Sequence, residues 1–267
     1  MTAPPGVDPT DRLVQSLVEA CGEDARVVAV IEGGSRARGE ADEHSDIDVT
    51  VVVSDDALGQ ILADKAAFVR SIGTALFVED FGIEHMAFVI FDDATELEIH
   101  FFPAAGVDAI HAGPHRVLFD PHDVLRGRAF PAEAPDEGAR SRQLREVLTW
   151  FWHDLGHFET AIARDQLWWA AGQLEQLRNV CVNLIRLEQG GVAEDEPYWK
   201  LDVEVSTGPL EQLRTTFVPV ERDALRTAGH ELLAFFRTHG RAAAAANGMT
   251  YPDELDRLIG ARLDEPT

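Results

Sequence analysis

The spacing of apolar residues divides the chain into a first half of short strand-like runs alternating with helical ones and a second half that is helical throughout. Over residues 11–21, Leu13, Val14, Leu17 and Val18 recur at the interval of one helix face, and Gly22 closes the segment. Residues 27–31 form a continuous apolar run, read as a buried strand and broken by Gly33-Gly34-Ser35. A second strand is predicted at 47–53, then a helix from about 56 to 72. Residues 86–91 and 96–102 predict a hairpin across the polar turn Asp92-Asp93-Ala94-Thr95, and 117–119 a last short strand.

Beyond Phe130 the pattern changes. Residues 130–135 read as a proline-bounded polar linker, so a sheet domain is expected over 1–130 and a helical bundle over 136–267. Leu144, Val147, Leu148, Phe151, Leu155 and Phe158 mark one long helix. Leu167, Ala170, Leu174, Leu177, Cys181, Leu184 and Leu187 mark a second, ended by Gly190-Gly191. Further helices are expected at 209–217, 219–239 and 252–263. The fold class is therefore α/β (α+β), a small mixed sheet domain followed by an all-α bundle. Trp150, Trp152, Trp168 and Trp169 are read first as core or domain-interface residues.

Composition narrows the function classes. The 267 residues carry a formal net charge of −24, which disfavours a nucleic-acid partner and suits a cationic one. Every apolar run is broken by charge well short of bilayer thickness, so no membrane span is expected. The N-terminal stretch lacks a basic n-region and an apolar h-region; it reads as a short tail rather than a secretory signal. Cys21 and Cys181, the two cysteines, fit a reducing cytoplasm and make neither a disulfide framework nor a CxxC motif.

The chemistry concentrates in Gly33-Gly34-Ser35-Arg36-Ala37-Arg38-Gly39-Glu40 and Ser45-Asp46-Ile47-Asp48-Val49. Glycines let the backbone approach a ligand closely, and free N–H groups at a helix start favour phosphate. Ser35 adds a hydroxyl, and Arg36 and Arg38 can neutralise a triphosphate. Positions two apart on a strand share a face, so Asp46 and Asp48 project together while Ile47, Val49 and Val51 face the core. Two carboxylates about 4 Å apart repel by on the order of 4 kcal/mol at an effective dielectric near 20. A divalent cation offsets that repulsion, and oxygen-only ligands suit Mg²⁺, with two ions expected.

Gly34-Ser35 followed by Asp46-x-Asp48 resembles the signature of the DNA polymerase β-like nucleotidyltransferase superfamily. That resemblance implies a third carboxylate on a nearby strand, and Glu98 in Glu96-Leu97-Glu98-Ile99-His100-Phe101 fits it. The pattern Gly34-Ser35, Arg38-Gly39-Glu40, Ser45-Asp46-Ile47-Asp48 and Glu98-Ile99-His100-Phe101 is also similar to the lincosamide nucleotidyltransferases with a C-terminal helical domain, with aminoglycoside nucleotidyltransferases second. These carry Glu at the position of Asp48. The likeness implies Asp46 and Asp48 (with Glu98) as metal ligands, Glu98 as the base, and ATP or GTP as donor. The implied acceptor is a hydroxylated cationic small molecule, a lincosamide first and an aminoglycoside second, held between the two domains.

Three further groups are weighed. His100 shares the face of Glu98 and is a candidate substrate contact, as is Asp154 on the long helix; Lys200 is a candidate nucleotide contact. His153-Asp154-Leu155-Gly156-His157 echoes a zinc HExxH, yet the Asp is short and no third ligand is evident, so a surface role is preferred. The alternatives to a small-molecule transferase are a toxin-like adenylyltransferase acting on protein or tRNA and a non-catalytic nucleotide-binding or antitoxin-like module. A homodimer is compatible with the sequence.

Overall fold

The apolar runs of the first half pair into one six-stranded mixed sheet. In chain order the strands are β1 (Val27–Glu32), β2 (Ile47–Val53), β3 (Ala75–Glu79), β4 (Met86–Phe91), β5 (Glu96–Pro103) and β6 (Arg116–Phe119). Their lateral order is β3-β4-β5-β2-β1-β6. β2 and β5 run parallel, and each other neighbouring pair runs antiparallel. The computed structural model describes residues 9–110, 113–130 and 136–263. The N-terminal tail through residue 8 and the proline-rich part of the linker, 131–135, lie outside the described residues. The chain divides into two units, Met1–Ala134 and Pro135–Thr267.

In the first unit the helices are α1 (Pro9–Glu23), α2 (Gly34–Arg38), α3 (Leu58–Ala63) and α4 (Lys65–Ile72). One sheet face buries Val49, Val51, Val89, Leu97, Ile99 and Phe101 against Leu13, Leu17, Ile61, Phe68 and Val69 from α1, α3 and α4. Phe68 meets Phe101 edge-on at 5.6 Å; burying a ring of this size contributes roughly 2–3 kcal/mol. The opposite face is covered at one end, where Val107, Ile110, Leu125 and Phe130 pack on Ala29, Ile31 and Val52. The helix expected over 56–72 breaks at Asp64, whose carboxylate accepts from Arg26 at 2.8 Å. β3 was not foreseen: it is an edge strand, half-exposed and irregular between Ala75 and Phe77, so its residues do not alternate cleanly.

The second unit holds α5 (Glu137–Ala163), α6 (Leu167–Glu188), α7 (Leu201–Glu204), α8 (Thr207–Arg214) and α9 (Arg222–Ala246). Its core is the predicted stripes of α5 and α6 packed on Leu225, Leu232 and Phe236 of α9. Phe151 and Phe236 stack at 3.8 Å with Trp152 edge-on to Phe236. Of the tryptophans expected in a core or interface only Trp152 is buried. Trp150, Trp168 and Trp169 are exposed, because they fall outside the α5 and α6 stripes. The helix expected at 252–263 splits into short turns around a π-helical segment, Asp256–Gly260. There the buried Asp256 carboxylate accepts from Arg237 and Arg241 of α9. Among the described residues no helix is long and apolar enough to cross a membrane.

Gly229 on α9 meets Phe158 of α5 so closely that a Cβ would lie 2.5 Å from the ring. Replacing an interior helix glycine by alanine ordinarily stabilises by roughly 1 kcal/mol. Here the overlap should outweigh that gain, and Gly229→Ala should lower stability by about 1–3 kcal/mol. Urea unfolding checks this, and an unchanged or higher midpoint would mean that Phe158 moves aside.

Candidate active site

The parallel pairing of β2 with β5 sets Asp48 and Glu98 as register partners. Adjacent strands lie about 4.8 Å apart, and Ile47, Val49, Leu97 and Ile99 all point into the core. Both carboxylates therefore leave the sheet on its other face, side by side. Asp46 stands exposed just ahead of β2. Burial pushes the Asp48 carboxyl up from 3.8 to about 6, with Asp46 and Glu98 adding repulsion. Arg38 and His100 act in the opposite direction on the same group. His100, register partner of Thr50, shares a 2.8 Å hydrogen bond between its Nε2 and Glu98 Oε1, which fixes the Glu98 side chain.

The glycine turn closes against these acids. Gly34 has φ +59, and a Cβ there would sit 1.7 Å from Asp48 Oδ2. Only glycine supplies both the left-handed backbone and the space. The Gly33 N–H donates to the Asp48 carbonyl at 2.9 Å, tying the turn to β2. The Ser35 hydroxyl oxygen is buried without a hydrogen-bond partner, a polar atom left for a ligand. Arg38 is partly exposed and bonds Glu40 at 2.7 Å.

Arg36 is engaged by two acids that the sequence reading did not connect with it. Its guanidinium donates to Glu32 at 2.8 Å and Asp11 at 2.7 Å, so it braces α2 against β1 and α1. Glu32 itself is fully buried, and Arg116 of β6 donates to its other oxygen at 2.7 Å. Sequence reasoning passed over Glu32. The available signal was a lone acid ending an apolar strand directly before the glycines, with Arg36 one helical turn on.

Asp154 and Lys200 belong to the second unit. Asp154 is half-buried beside His153 and His157; burial raises its carboxyl and the two imidazoles oppose the rise. It lines a groove of ≈ 480 Å³ with Glu146, Trp150 and Glu194. Lys200 has φ +52 and rests its ammonium 4.3 Å from the Trp199 ring centre. Both cysteines are buried and free, and burial pushes the Cys21 thiol up to about 12 and the Cys181 thiol likewise upward, so neither is a nucleophile.

Among the described residues no three His, Cys, Asp or Glu side chains form a closed metal cage. Mg²⁺ does not require one, since it keeps waters and is held through one or two carboxylates plus substrate phosphates. The donor set fits that mode. It offers oxygen ligands only, a carboxylate under repulsive load, an orphaned serine hydroxyl and a turn that a Cβ would block.

A family profile described as streptomycin adenylyltransferase matches residues 9–264. No curated protein matches the chain in sequence. Among solved structures, the chain is similar to an aminoglycoside 6-adenyltransferase from Bacillus subtilis, at 14% identity over 95% of this chain and 97% of that one, with a TM-score of 0.47. It is also similar to a nucleotidyltransferase-like protein from Exiguobacterium sibiricum 255-15, at 13% identity over 89% of this chain and 78% of that one, with a TM-score of 0.39.

The Asp48 carboxyl keeps its proton to higher pH in the folded protein than in the unfolded chain. Its ionisation therefore costs stability as pH rises from about 4 to 6, and the cost persists above that range. In chelator-treated protein Asp48→Asn should melt higher than the parent at neutral pH, with the gap closing below about pH 4. Thermal melts at the two pH values check this; an Asn variant that melts lower at neutral pH would contradict the repulsion.

Proposed function

We propose, on the premise that this chain belongs to the streptomycin adenylyltransferase family, that it transfers AMP from ATP to a hydroxyl of a small cationic antibiotic and releases pyrophosphate. The observation that carries the proposal is the register of Asp48 and Glu98 on adjacent parallel strands, beside a glycine turn that leaves the Ser35 hydroxyl unpartnered. A binding module needs no such second carboxylate, so the pairing favours a transferase over the non-catalytic alternative.

Asp46 and Asp48 would hold Mg²⁺, which supplies charge neutralisation for the triphosphate and for the departing pyrophosphate. Gly34 and Ser35 would position phosphate oxygens through backbone N–H groups and the free hydroxyl, with Gly33 anchoring the turn to β2, and Arg38 adds positive charge at the same edge. Glu98, oriented by His100, accepts the acceptor's hydroxyl proton as that oxygen attacks the α-phosphorus. The new O–P bond forms in line as the bond to pyrophosphate breaks. The family's description names streptomycin, an aminoglycoside, which supports testing that class ahead of the lincosamides that the sequence resemblance put first. The negative charge of the chain favours either cation.

Pyrophosphate release from ATP and GTP, with Mg²⁺, across aminoglycosides and lincosamides is the direct test. Acceptor-dependent release should fall at least about a hundredfold in Glu98→Gln, the usual scale for losing a general base. Asp46→Asn and Asp48→Asn should abolish it. Turnover near the parent's in Asp48→Asn would remove the metal assignment, and a fully active Glu98→Gln would move the base elsewhere.

A further inference from the structure

Past Glu98 the same face of the sheet continues towards its β3 edge, and there it turns aromatic. Phe88 on β4 is the register partner of Glu98. On β3, Glu79 lies opposite Phe88 and Phe77 opposite Ile90. Ala87, Val89 and Leu97 fill the core below, so Phe88, Ile90, Phe77 and Glu79 stand on the face of Glu98. Phe81, in the turn after β3, brings its ring to 6.0 Å from Phe88, and Phe77 meets Phe88 edge-on at 6.3 Å. Phe77 and Phe81 are 43% and 64% exposed, so this ring cluster is not a core.

The turn that presents Phe81 is strained and firmly held. Residues 80–83 close with the Ile83 N–H donating to the Asp80 carbonyl at 2.7 Å. Phe81 has φ +49 and Gly82 φ +81. Two successive positive φ values mark a type I′ turn, whose first central position favours Asn, Asp or Gly. A bulky ring there is unfavourable, and at 64% exposure it recovers little by burial. The turn is nonetheless fastened. Glu79 accepts from the N–H groups of Asp80 and Phe81, and Asp80 accepts from the Gly82 N–H and from Lys65 at 2.6 Å.

We propose that Phe77, Phe81 and Phe88 form the wall of the acceptor subsite, taking a C–H-rich ring face of a cationic acceptor while its hydroxyl reaches Glu98. The inference rests on Glu98 being the base, as argued under Proposed function. Geometry selects the occupant. The glycine turn and Asp48 lie on the β1–β2 side of Glu98 and the rings on the β4–β3 side. In-line transfer needs the attacking oxygen opposite the leaving pyrophosphate, so a triphosphate held at the turn leaves the aromatic side to the acceptor. Charge agrees: Glu79 and Glu96 border the rings, and ring faces attract cations. A second copy of a −24 chain added at β3 would bring like charges together.

Phe81→Gly separates this role from a structural one, because glycine relieves the positive φ while removing the ring. Calorimetric titration of the full chain, with Mg²⁺ and a non-hydrolysable ATP analogue bound, uses streptomycin and lincomycin as probes and needs no turnover. At least one probe should bind the parent, and Phe81→Gly should bind it about tenfold more weakly. Its affinity for the ATP analogue should be unchanged and its melting temperature no lower than the parent's. Phe77→Ala is the second variant, with the same expected loss for the probe. Unchanged probe affinity in both variants, or no probe binding to the parent, overturns the proposal. A loss confined to the ATP analogue would assign the wall to the nucleobase, and a changed sedimentation coefficient would assign it to a protein interface; either overturns it too. Turnover by Glu98→Gln is read separately and bears only on the base.

Discussion

The site depends on one contact, the approach of Gly34 to the Asp48 carboxylate. With φ +59 and no room for a Cβ, this glycine lets the turn after β1 fold directly over β2. The bond from the Gly33 N–H to the Asp48 carbonyl then fixes the turn to the strand that carries the acid. β2 in turn pairs in parallel with β5, which delivers Glu98 from a segment fifty residues later in the chain. A slip of one residue in that pairing would move Glu98 into the core and Ile99 to the solvent face. The apolar alternation of both strands therefore guards the register on which the chemistry rests. Stability and function pull apart at Asp48, where burial and two neighbouring acids oppose the charge that a metal site needs.

Much of this was legible in the sequence, for identifiable reasons. The runs at 47–53 and 86–91 carry strict strand signals, and the structure has β2 and β4 at those bounds. The glycine turn and the two acids following it were read from spacing, whereas Glu98 came from the family resemblance, with the alternation of Leu97, Ile99 and Phe101 placing it on the polar face. What the sequence concealed depends on long-range partners. The joint bracing of Arg36 by Glu32 and Asp11, from two other elements, has no sequence signal of its own. β3 lacks alternation because it is an edge with an irregular register, and the aromatic cluster cannot be recognised until β3 and β4 are paired. Asp64, where the expected helix breaks, likewise pairs with Arg26, thirty-eight residues away.

Charge is distributed with the same economy of cations. Several arginines are turned inward and bound by acceptors of the chain itself. Arg178 donates to Thr216 and lies over the Phe217 ring at 3.9 Å, while Arg186 donates to the Pro197 carbonyl and pairs with Glu204. Such groups steady the helical unit without projecting positive potential. The net −24 is thus expressed mainly at the surface, where it raises the local concentration of cationic solutes. Arg38, partly exposed at the glycine turn, is paired within the chain as well, with Glu40, yet lies where an anion would need it.

The Glu32 cluster shows why a buried charge can serve a turn that must not move. Glu32 ends β1 with its carboxylate wholly buried, and its two oxygens are divided between Arg36 of α2 and Arg116 of β6. An apolar residue of similar volume would pack as well and avoid desolvation, so net stability alone does not explain the acid. Direction does. Fixed hydrogen bonds orient α2 about its own axis, whereas an apolar contact would let that five-residue helix rotate or slide. Rotation of α2 would carry the Ser35 hydroxyl out of its buried position and lift Gly34 from Asp48. The buried carboxylate therefore acts on the phosphate turn through geometry. It does so from beneath the sheet's end and makes no contact of its own with the face where transfer would occur.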